Sequence, residues 1–211
     1  MGGSGVAGDD LGLDGDAVVV VERHGVGVPA HLVDHEANLG SMVDHGVDRV
    51  LALASTGSLR ADWSIGTVVI PDDFFAPWVN PSVYDDMRGH SVPGFDAAWR
   101  SQVVAAWSAN ASRPAVDGGV YVHTMGPRFE TPAEIRFYGT VGDVVGMTIA
   151  AECVLAAELG LAYAVVCVVD NLANGVADER LTKTAFEHGV RSNREAFATD
   201  VRAVVRALVD S

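Results

Sequence analysis

Hydrophobic residues recur along the chain with two alternating periods. Short runs rich in Val, Ile and Leu predict strands, and their near-continuous apolar character indicates strands covered on both faces. Longer stretches with apolar residues three or four positions apart predict helices. The predicted strands are 17–22, 49–55, 66–71, 118–124, 142–147 and 162–170, and the predicted helices are 31–45, 94–110, 131–138, 148–159 and 181–209. This alternation is typical of an α/β fold with a central sheet.

The composition narrows the classes of function. The chain has 211 residues, of which 49% are hydrophobic, which predicts one globular domain over 1–211. Its net charge of −14, with Lys183 as the only lysine, disfavours nucleic acid and anionic membranes as partners. No apolar run approaches the roughly 20 residues that span a bilayer. The start, MGGSGVAGDD, lacks the basic and apolar regions of a signal peptide, so we expect a cytoplasmic protein.

Two further features concern the core and the surface. Cys153 and Cys167 lie in apolar surroundings, which predicts reduced core cysteines and no metal site.

The stretch 74–94 contains three prolines and is the longest irregular piece of the chain. It is interpreted as an ordered surface excursion, either a lid or a contact with a neighbouring subunit.

Polar residues collect where the predicted strands end, which is where ligands bind in α/β sheets. Four positions are candidate anion ligands: Ser4 in a Gly-rich stretch, the Arg23-His24 pair, Ser55 and Thr148. Each has a structural alternative, namely a flexible terminus, a surface ion pair, a routine turn and a helix N-cap. Together they make a site for a tetrahedral oxyanion such as phosphate plausible.

A second group of polar residues suits a flat heterocycle. In GPRFETPAE, residues 126–134, a helix start with Thr131 as N-cap explains the Thr, the Pro and Glu134 but leaves Glu130 unexplained. The aromatic ring of Phe129 lies beside Glu130 in the sequence. The strand 162–170 closes on Asp170 and Asn171, in VVDNLANG, and either could be a turn residue or a ligand. A carboxylate, an amide and an aromatic ring can bind a heterocycle that carries N–H donors.

At these residues the chain resembles a known family. The stretches GPRFETPAEIRFYGTVGDVVGMTIAAE and VVDNLANG are similar to the signature region of the trimeric purine nucleoside phosphorylases and methylthioadenosine phosphorylases. Upstream, RHGVGVPAHLVDHEAN and GVDRVLALASTGSLR resemble the methylthioadenosine phosphorylase branch, and GGSG resembles the family's GGTG. The similarity covers 1–75 and 118–175, in the family's order.

The resemblance implies a single-domain nucleoside-phosphorylase-like fold, with a central mixed β-sheet flanked by helices. It also implies reversible phosphorolysis of a purine nucleoside to free base and ribose-1-phosphate, without metal or organic cofactor, in a homotrimer or a dimer of trimers. The implied catalytic residues are Asn171, Glu130 and His24. The implied phosphate ligands are Ser4, Arg23, His24, Ser55 through its backbone, and Thr148. The implied substrate-binding residues are Phe129, Glu130, Met147, Asn171, Ala173 and Leu181.

The residues at the end of the last strand bear on which base is used. Family members that act on 6-aminopurines resemble each other in carrying Asp at the position of Asn171 and a second Asp two residues later. Here the pair is Asn171 and Ala173, which resembles the 6-oxopurine branch acting on inosine, guanosine or 5′-methylthioinosine. An alignment slip of one residue would place Asp170 there instead. Leu181 favours an apolar 5′-substituent, unless it is a core residue of the last helix.

The chain also departs from the family pattern. The segment between GGSG and RHG is shorter than usual, Ala54 stands where the methylthioadenosine branch has a phosphate-binding Thr, and His35 stands where that branch has Tyr. Three alternatives therefore stay open beside the 6-oxopurine phosphorylase: a phosphorylase of 6-aminopurine nucleosides, a nucleosidase that uses water, and a nucleoside-binding protein without catalysis.

Overall fold

The computed structural model of the chain describes residues 18–25, 27–178 and 180–210. The strands are β1 (Arg49–Ser58), β2 (Val68–Ile70), β3 (Asp73–Phe75), β4 (Ala115–Asp117), β5 (Val120–His123), β6 (Val144–Gly146) and β7 (Ala162–Leu172). The helices are α1 (His35–Asp44), α2 (Ala97–Asn110), α3 (Pro132–Tyr138), α4 (Ile149–Glu158) and α5 (Lys183–Val209). Short 3-10 turns lie at Ala30–Leu32 and Met87–Gly89.

The strands form one mixed sheet in the order β3-β5-β6-β1-β7-β2-β4. The two long strands, β1 and β7, are parallel and adjacent at its centre. β6 runs antiparallel to β1 on one side, and β2 runs antiparallel to β7 on the other. The α/β fold with a central mixed sheet flanked by helices is therefore confirmed.

Helices cover both faces of β7, which explains its uninterrupted apolar run. On one face Val165, Cys167 and Val169 pack with residues of α1 and α4. On the other face Val166 and Val168 pack with residues of α2 and α5. Cys153 and Cys167 are both buried and free, as the sequence predicts.

Helix α5 approaches the end of β7 more closely than a side chain would permit. A Cβ atom built on Gly189 would lie 1.8 Å from the carbonyl oxygen of Asp170, so only glycine fits there. α5 begins after its N-cap Thr182, whose hydroxyl accepts from the backbone N–H of Ala185. The contact between this helix and β7 fixes the loop that follows β7 and carries the candidate site residues.

The predicted strand 17–22 is wrong for the described residues 18–22, which pair with no other strand in the described chain. Val20 in this run is 42% exposed. β6 pairs with β1 only at Gly57 and Ser58. Near the middle of β1 this part of the chain makes a side-chain contact instead, from Arg23 to the carbonyl oxygen of Leu53. β3 and β4 were not predicted, because each contains an Asp and neither belongs to an apolar run like those of the equally short β2 and β6.

The irregular stretch 74–94 is anchored far from the candidate site residues. Its middle binds the last residue of α4: the Ser82 hydroxyl and the Val83 N–H donate to the Glu158 carboxylate, and the Tyr84 hydroxyl donates to the Glu158 carbonyl oxygen. These bonds hold the stretch at the opposite end of α4 from Thr148. No helix in the described part of the chain is long and apolar enough to cross a membrane.

Candidate active site

A cleft opens where the last residues of β1, β6 and β7 come together with the start of α4 and the loops before α3 and α5. It encloses about 640 Å³, counting the space open to solvent. Every predicted site residue that the structure describes lines this one cleft: Arg23, His24, Ser55, Phe129, Glu130, Met147, Thr148, Asn171, Ala173 and Leu181. Ser4 lies outside the described residues. The stretch 74–94 contributes no lining residue among those described, which counts against a lid.

Arg23 is fixed by a buried ion pair with Glu152 of α4. Its Nη1 donates to both carboxylate oxygens, at 2.9 and 2.7 Å, and its Nη2 donates to the carbonyl oxygen of Leu53. Glu152 also accepts from the Tyr163 hydroxyl at 2.5 Å and lies 3.2 Å from Nδ1 of His35. Burial alone would raise the pKa of Glu152, but Arg23 and His35 lower it to about 2. Arg23 is thus held as a cation, and its Nε–H makes no hydrogen bond to a described residue.

His24 follows Arg23 and is neutral at pH 7. Burial lowers the pKa of its imidazole, and the charge of Arg23 lowers it further, against a rise caused by the bond to Val28. Its Nδ1 lies 2.9 Å from the carbonyl oxygen of Val28. Because a carbonyl oxygen can only accept, Nδ1 carries the proton. Nε2 of the neutral ring is therefore a lone-pair acceptor, and it becomes a donor only if the ring takes up a second proton.

Thr148 and Ser55 add polar groups close to this pair. Thr148 is the N-cap of α4, but its hydroxyl makes no capping hydrogen bond and no bond to another described residue. The hydroxyl is thus free for a ligand, at a helix N-terminus that attracts anions. The buried hydroxyl of Ser55 lies close to the Asp170 carboxylate without meeting hydrogen-bond geometry. Thr148 is therefore the N-cap of α4 by position, but its side chain does not cap the helix.

Glu130 lies just before α3 and is 7% exposed. Its Oε1 accepts from the hydroxyl of Thr124 at 2.6 Å, and its Oε2 accepts no hydrogen bond from a described residue. Phe129 contacts Phe186 of α5, with ring centroids 5.6 Å apart and planes tilted by 58°. The cleft therefore offers a carboxylate oxygen beside two aromatic rings. Such a set can hold a flat heterocycle by an N–H donor and by its faces.

A register shift decides which residue at the end of β7 enters the cleft. Thr56 of β1 pairs with Val169, but the next residue, Gly57, pairs with Asn171, so Asp170 is an extra residue in a β-bulge. Asn171 lines the cleft, and Asp170 does not. The bulge thus presents the Asn171 amide to the cleft and keeps the Asp170 side chain out of it.

The side chains of Asp170 and Asn171 form hydrogen bonds with different partners. Oδ1 of the fully buried Asp170 accepts from Nδ2 of Asn193 on α5 at 2.7 Å, and burial raises the pKa of this carboxyl. Nδ2 of Asn171 donates to the carbonyl oxygen of Leu172 at 2.9 Å. That bond orients the amide, and its oxygen accepts no hydrogen bond from a described residue. Asn171 therefore presents an acceptor with a fixed direction.

This arrangement of residues can be compared with known proteins. The model of the family described as "Phosphorylase superfamily" matches residues 11–209. The chain belongs to the phosphorylase superfamily. It is 38% identical over 180 residues to "Probable 6-oxopurine nucleoside phosphorylase" of Archaeoglobus fulgidus, an alignment that covers 84% of this chain and 74% of that protein. It is 40% identical over 174 residues to "Probable S-methyl-5'-thioinosine phosphorylase" of Methanothermobacter thermautotrophicus, and spans 61% of that protein's length.

Solved structures agree with the fold of this phosphorylase-superfamily chain. A methylthioadenosine phosphorylase from Schistosoma mansoni in complex with adenine matches with a TM-score of 0.74, over 90% of this chain and 75% of that one. Its sequence identity is 24%, so the likeness concerns the fold.

Three residues of the phosphorylase-superfamily site escaped prediction from the sequence. In the sequence, Glu152 cannot be told from an ordinary acidic residue in the first turn of a helix. Phe186 likewise cannot be told from an apolar residue of α5 that packs in the core, although it lines the cleft. Thr124 closes a predicted strand and lies behind Glu130, outside the cleft lining. Glu152 and Phe186 contact residues that are distant in the sequence, namely Arg23 and Phe129, and Thr124 lies behind the side chain of Glu130. Among the described residues, no three His, Cys, Asp or Glu come together as metal ligands would.

Proposed function

We propose that this member of the phosphorylase superfamily catalyses the reversible phosphorolysis of a 6-oxopurine nucleoside. The observation that carries the proposal is the β-bulge, which places Asn171 in the cleft with Glu130 and removes Asp170 from it. Arg23, with the other candidate anion ligands, lines the same cleft. The names of the relatives from Archaeoglobus and Methanothermobacter, a 6-oxopurine nucleoside and a 5′-thioinosine phosphorylase, support the same substrate class.

The residues suggest how the reaction proceeds. Phosphate is the co-substrate and, in this proposal, no metal or organic cofactor takes part. Arg23, His24, Ser55 and Thr148 bind it, with Ser4 as a further candidate, and it attacks the anomeric carbon as the glycosidic bond breaks. The sugar passes through an oxocarbenium-like state while negative charge builds on the purine. Phosphate supplies the opposite charge to the sugar, so no covalent enzyme nucleophile is required.

The departing base is stabilised by two acceptors of fixed direction. The amide oxygen of Asn171 accepts from a protonated N7, and Oε2 of Glu130 accepts from N1–H, which 6-oxopurines have and 6-aminopurines lack. Phe129 and Phe186 contact the flat faces of the ring, and Met147 lies against the ribose. Leu181, with the nearby Ala30, offers an apolar surface to the 5′-substituent. The lining favours an apolar group there, such as methylthio.

The decisive experiment measures base release from inosine, guanosine, adenosine and their 5′-methylthio analogues, with and without phosphate. We expect release from the 6-oxopurine nucleosides that requires phosphate and yields the sugar 1-phosphate. Release that is equally fast without phosphate would identify a nucleosidase. A preference for adenosine would contradict the role of Asn171, and no release from any of them would favour a nucleoside-binding protein.

The protonation of His24 predicts how phosphate use depends on pH. We propose that Nε2 of His24 donates to bound phosphate. It can donate only when the ring is protonated, and burial lowers the pKa of the free ring, so phosphate binding takes up a proton. Above the second ionisation of phosphate, the KM for phosphate should therefore rise about tenfold per pH unit. In His24→Gln, whose amide donates without titrating, that KM should stay flat at the same pH values.

The control for His24→Gln is His31→Gln, at an exposed residue that does not line the cleft. This control variant should show the same rise of the KM for phosphate with pH as the wild-type protein. Steady-state rates at varied phosphate and saturating inosine, from pH 6 to pH 9, provide the measurement. A rise of equal slope in His24→Gln would assign the titrating group elsewhere.

Assembly and setting form the remaining part of the proposal. We propose a homotrimer or a dimer of trimers, in a cytoplasmic enzyme of purine salvage. The stretch 74–94 supports the assembly, because it is hydrogen-bonded to Glu158 and still exposes Trp78 by 69% and Val92 by 97%. Large exposed apolar side chains on an ordered segment are typical of a subunit contact.

A further inference from the structure

Thr124 makes the shortest described contact to the base-reading carboxylate. Its hydroxyl donates to Oε1 of Glu130 at 2.6 Å, and the two side chains are 6% and 7% exposed. Thr124 does not line the cleft, so it would touch the base only through Glu130. A buried hydrogen bond to a charged acceptor is among the stronger contacts in proteins.

The fold delivers Thr124 to this place. Its backbone N–H donates to the carbonyl oxygen of Gly146 at 2.8 Å, which extends the pairing of β5 with β6 by one residue. Side chains alternate along a strand, so Thr124 shares a face with Val122 two residues earlier. Val122 packs with Ile135 of α3, the helix that Glu130 precedes. The hydroxyl therefore faces the start of α3, where the carboxylate lies.

The backbone of Glu130 is fixed independently of Thr124. The next residue, Thr131, starts α3 with a capping box in which Glu134 takes part. Nδ2 of Asn174 donates to the carbonyl oxygen of Glu130 at 3.0 Å. Of the described residues, only Thr124 forms a hydrogen bond with the side chain of Glu130. The direction of the carboxylate thus depends on one hydroxyl.

We propose that Thr124 is a positioning residue that gives Glu130 its selectivity for 6-oxopurines; this rests on the proposed function. With Oε1 occupied by Thr124, Oε2 is the oxygen left to accept from the ligand. That oxygen matches N1–H of hypoxanthine and opposes the lone pair on N1 of adenine. Without the hydroxyl the carboxylate can turn, and the two bases are distinguished less well.

Thr124→Val removes the hydroxyl and keeps the shape of the side chain. We expect kcat/KM for inosine to fall at least about tenfold, mainly through KM, and the ratio of inosine to adenosine to fall by a similar factor. The KM for phosphate should stay within about twofold, because the anion ligands are unchanged. Thr124→Ser, which keeps the donor, should recover most of the inosine activity and of the ratio.

Two further variants exclude a purely structural effect. Thr140→Val removes an exposed hydroxyl that donates to the carbonyl oxygen of Phe137 away from the cleft, and it should change none of these constants. Thr124→Ala lacks the donor and packs differently, so it should lose the same selectivity, and it replaces Thr124→Val if that variant does not fold. The proposal is overturned if the variants without the hydroxyl keep the wild-type ratio, or if Thr124→Ser is as impaired as Thr124→Val.

Hypoxanthine binding separates this proposal from the proposed function. Calorimetry should show a Kd for hypoxanthine at least about tenfold higher in Thr124→Val than in the wild-type protein. If the wild-type protein binds hypoxanthine but releases no base from inosine, the proposed function fails while the role of Thr124 is still decided by this comparison. If the wild-type protein cleaves inosine and Thr124→Val binds hypoxanthine equally well, only the role of Thr124 fails. If the wild-type protein neither binds hypoxanthine nor releases base from inosine, both proposals fail.

Discussion

Replacing Asn171 with aspartate is expected to lower the ratio of inosine to adenosine kcat/KM by at least about 100-fold. The amide now donates to the carbonyl oxygen of Leu172 and presents one acceptor to the cleft. A carboxylate has no N–H to give, so it loses that orienting bond and sets a negative charge beside O6 of the departing 6-oxopurine. It also offers a second acceptor, which suits the amino group of adenine. The measurement is kcat/KM for both nucleosides at saturating phosphate.

The neighbouring residue provides a matched control for Asn171→Asp. Asp170→Asn changes the charge one residue away, on a side chain that binds Asn193 and does not line the cleft. It should leave the ratio of inosine to adenosine unchanged within about threefold, whatever it does to stability. Unchanged selectivity in Asn171→Asp, or a large change in Asp170→Asn, would show that the wrong residue of this pair was assigned to the base.

The neighbouring residues Asp170 and Asn171 also show what the sequence could and could not predict. The order of motifs identifies Asn171 as a substrate residue, but residue types alone leave Asp170 as a rival. In the structure a β-bulge opposite Thr56 and Gly57 makes Asp170 an extra residue of β7, and Asn171 is the one of the two that lines the cleft. A bulge depends on the register between two strands that are more than 100 residues apart in the sequence, and local patterns do not encode that register.

The helices and strands also differ in how well the sequence predicts them. Long segments with a distinctive apolar pattern are predicted correctly, whether that pattern is periodic, as in α5, or uninterrupted, as in β7, because their apolar residues determine their packing. The run 17–22 has the composition of a strand, yet its described part pairs with none. Composition reports the preference of a segment, whereas strand formation also needs a partner strand in register, and the described part of this run has none. The short strands β3 and β4 show the converse, since they pair without a distinctive pattern.

The cleft residues were predicted more completely than the residues behind them. A cleft-lining group such as Glu130 stands out because its polarity is unexplained by local structure. Glu152 and Thr124 do not stand out, because helices and strand ends often contain such residues. Their roles depend on contacts with Arg23 and Glu130 that only the folded chain creates. Residues that orient a site are for this reason harder to predict than residues that line it.

Arg23→Met is expected to have two large effects with different origins. The KM for phosphate should rise at least about 100-fold, because the fixed cation among the anion ligands is lost. The free energy of unfolding should fall by about 3–5 kcal/mol, because the buried carboxylate of Glu152 loses its charged partner. Tyr163 and His35 still contact that carboxylate, which places the loss at the lower end of this range. Urea unfolding and steady-state kinetics at varied phosphate measure the two quantities.

The double variant Arg23→Met/Glu152→Gln separates these effects. With the carboxylate neutralised, no unpaired charge remains buried, so most of the lost stability should return. The KM for phosphate should stay as high as in Arg23→Met, since restoring the fold does not restore a cation. If stability and phosphate use recover together, Arg23 acts on phosphate only through the fold. If stability recovers and phosphate use does not, Glu152 positions Arg23 and Arg23 binds the phosphate. The buried ion pair between these two residues predicts this second outcome.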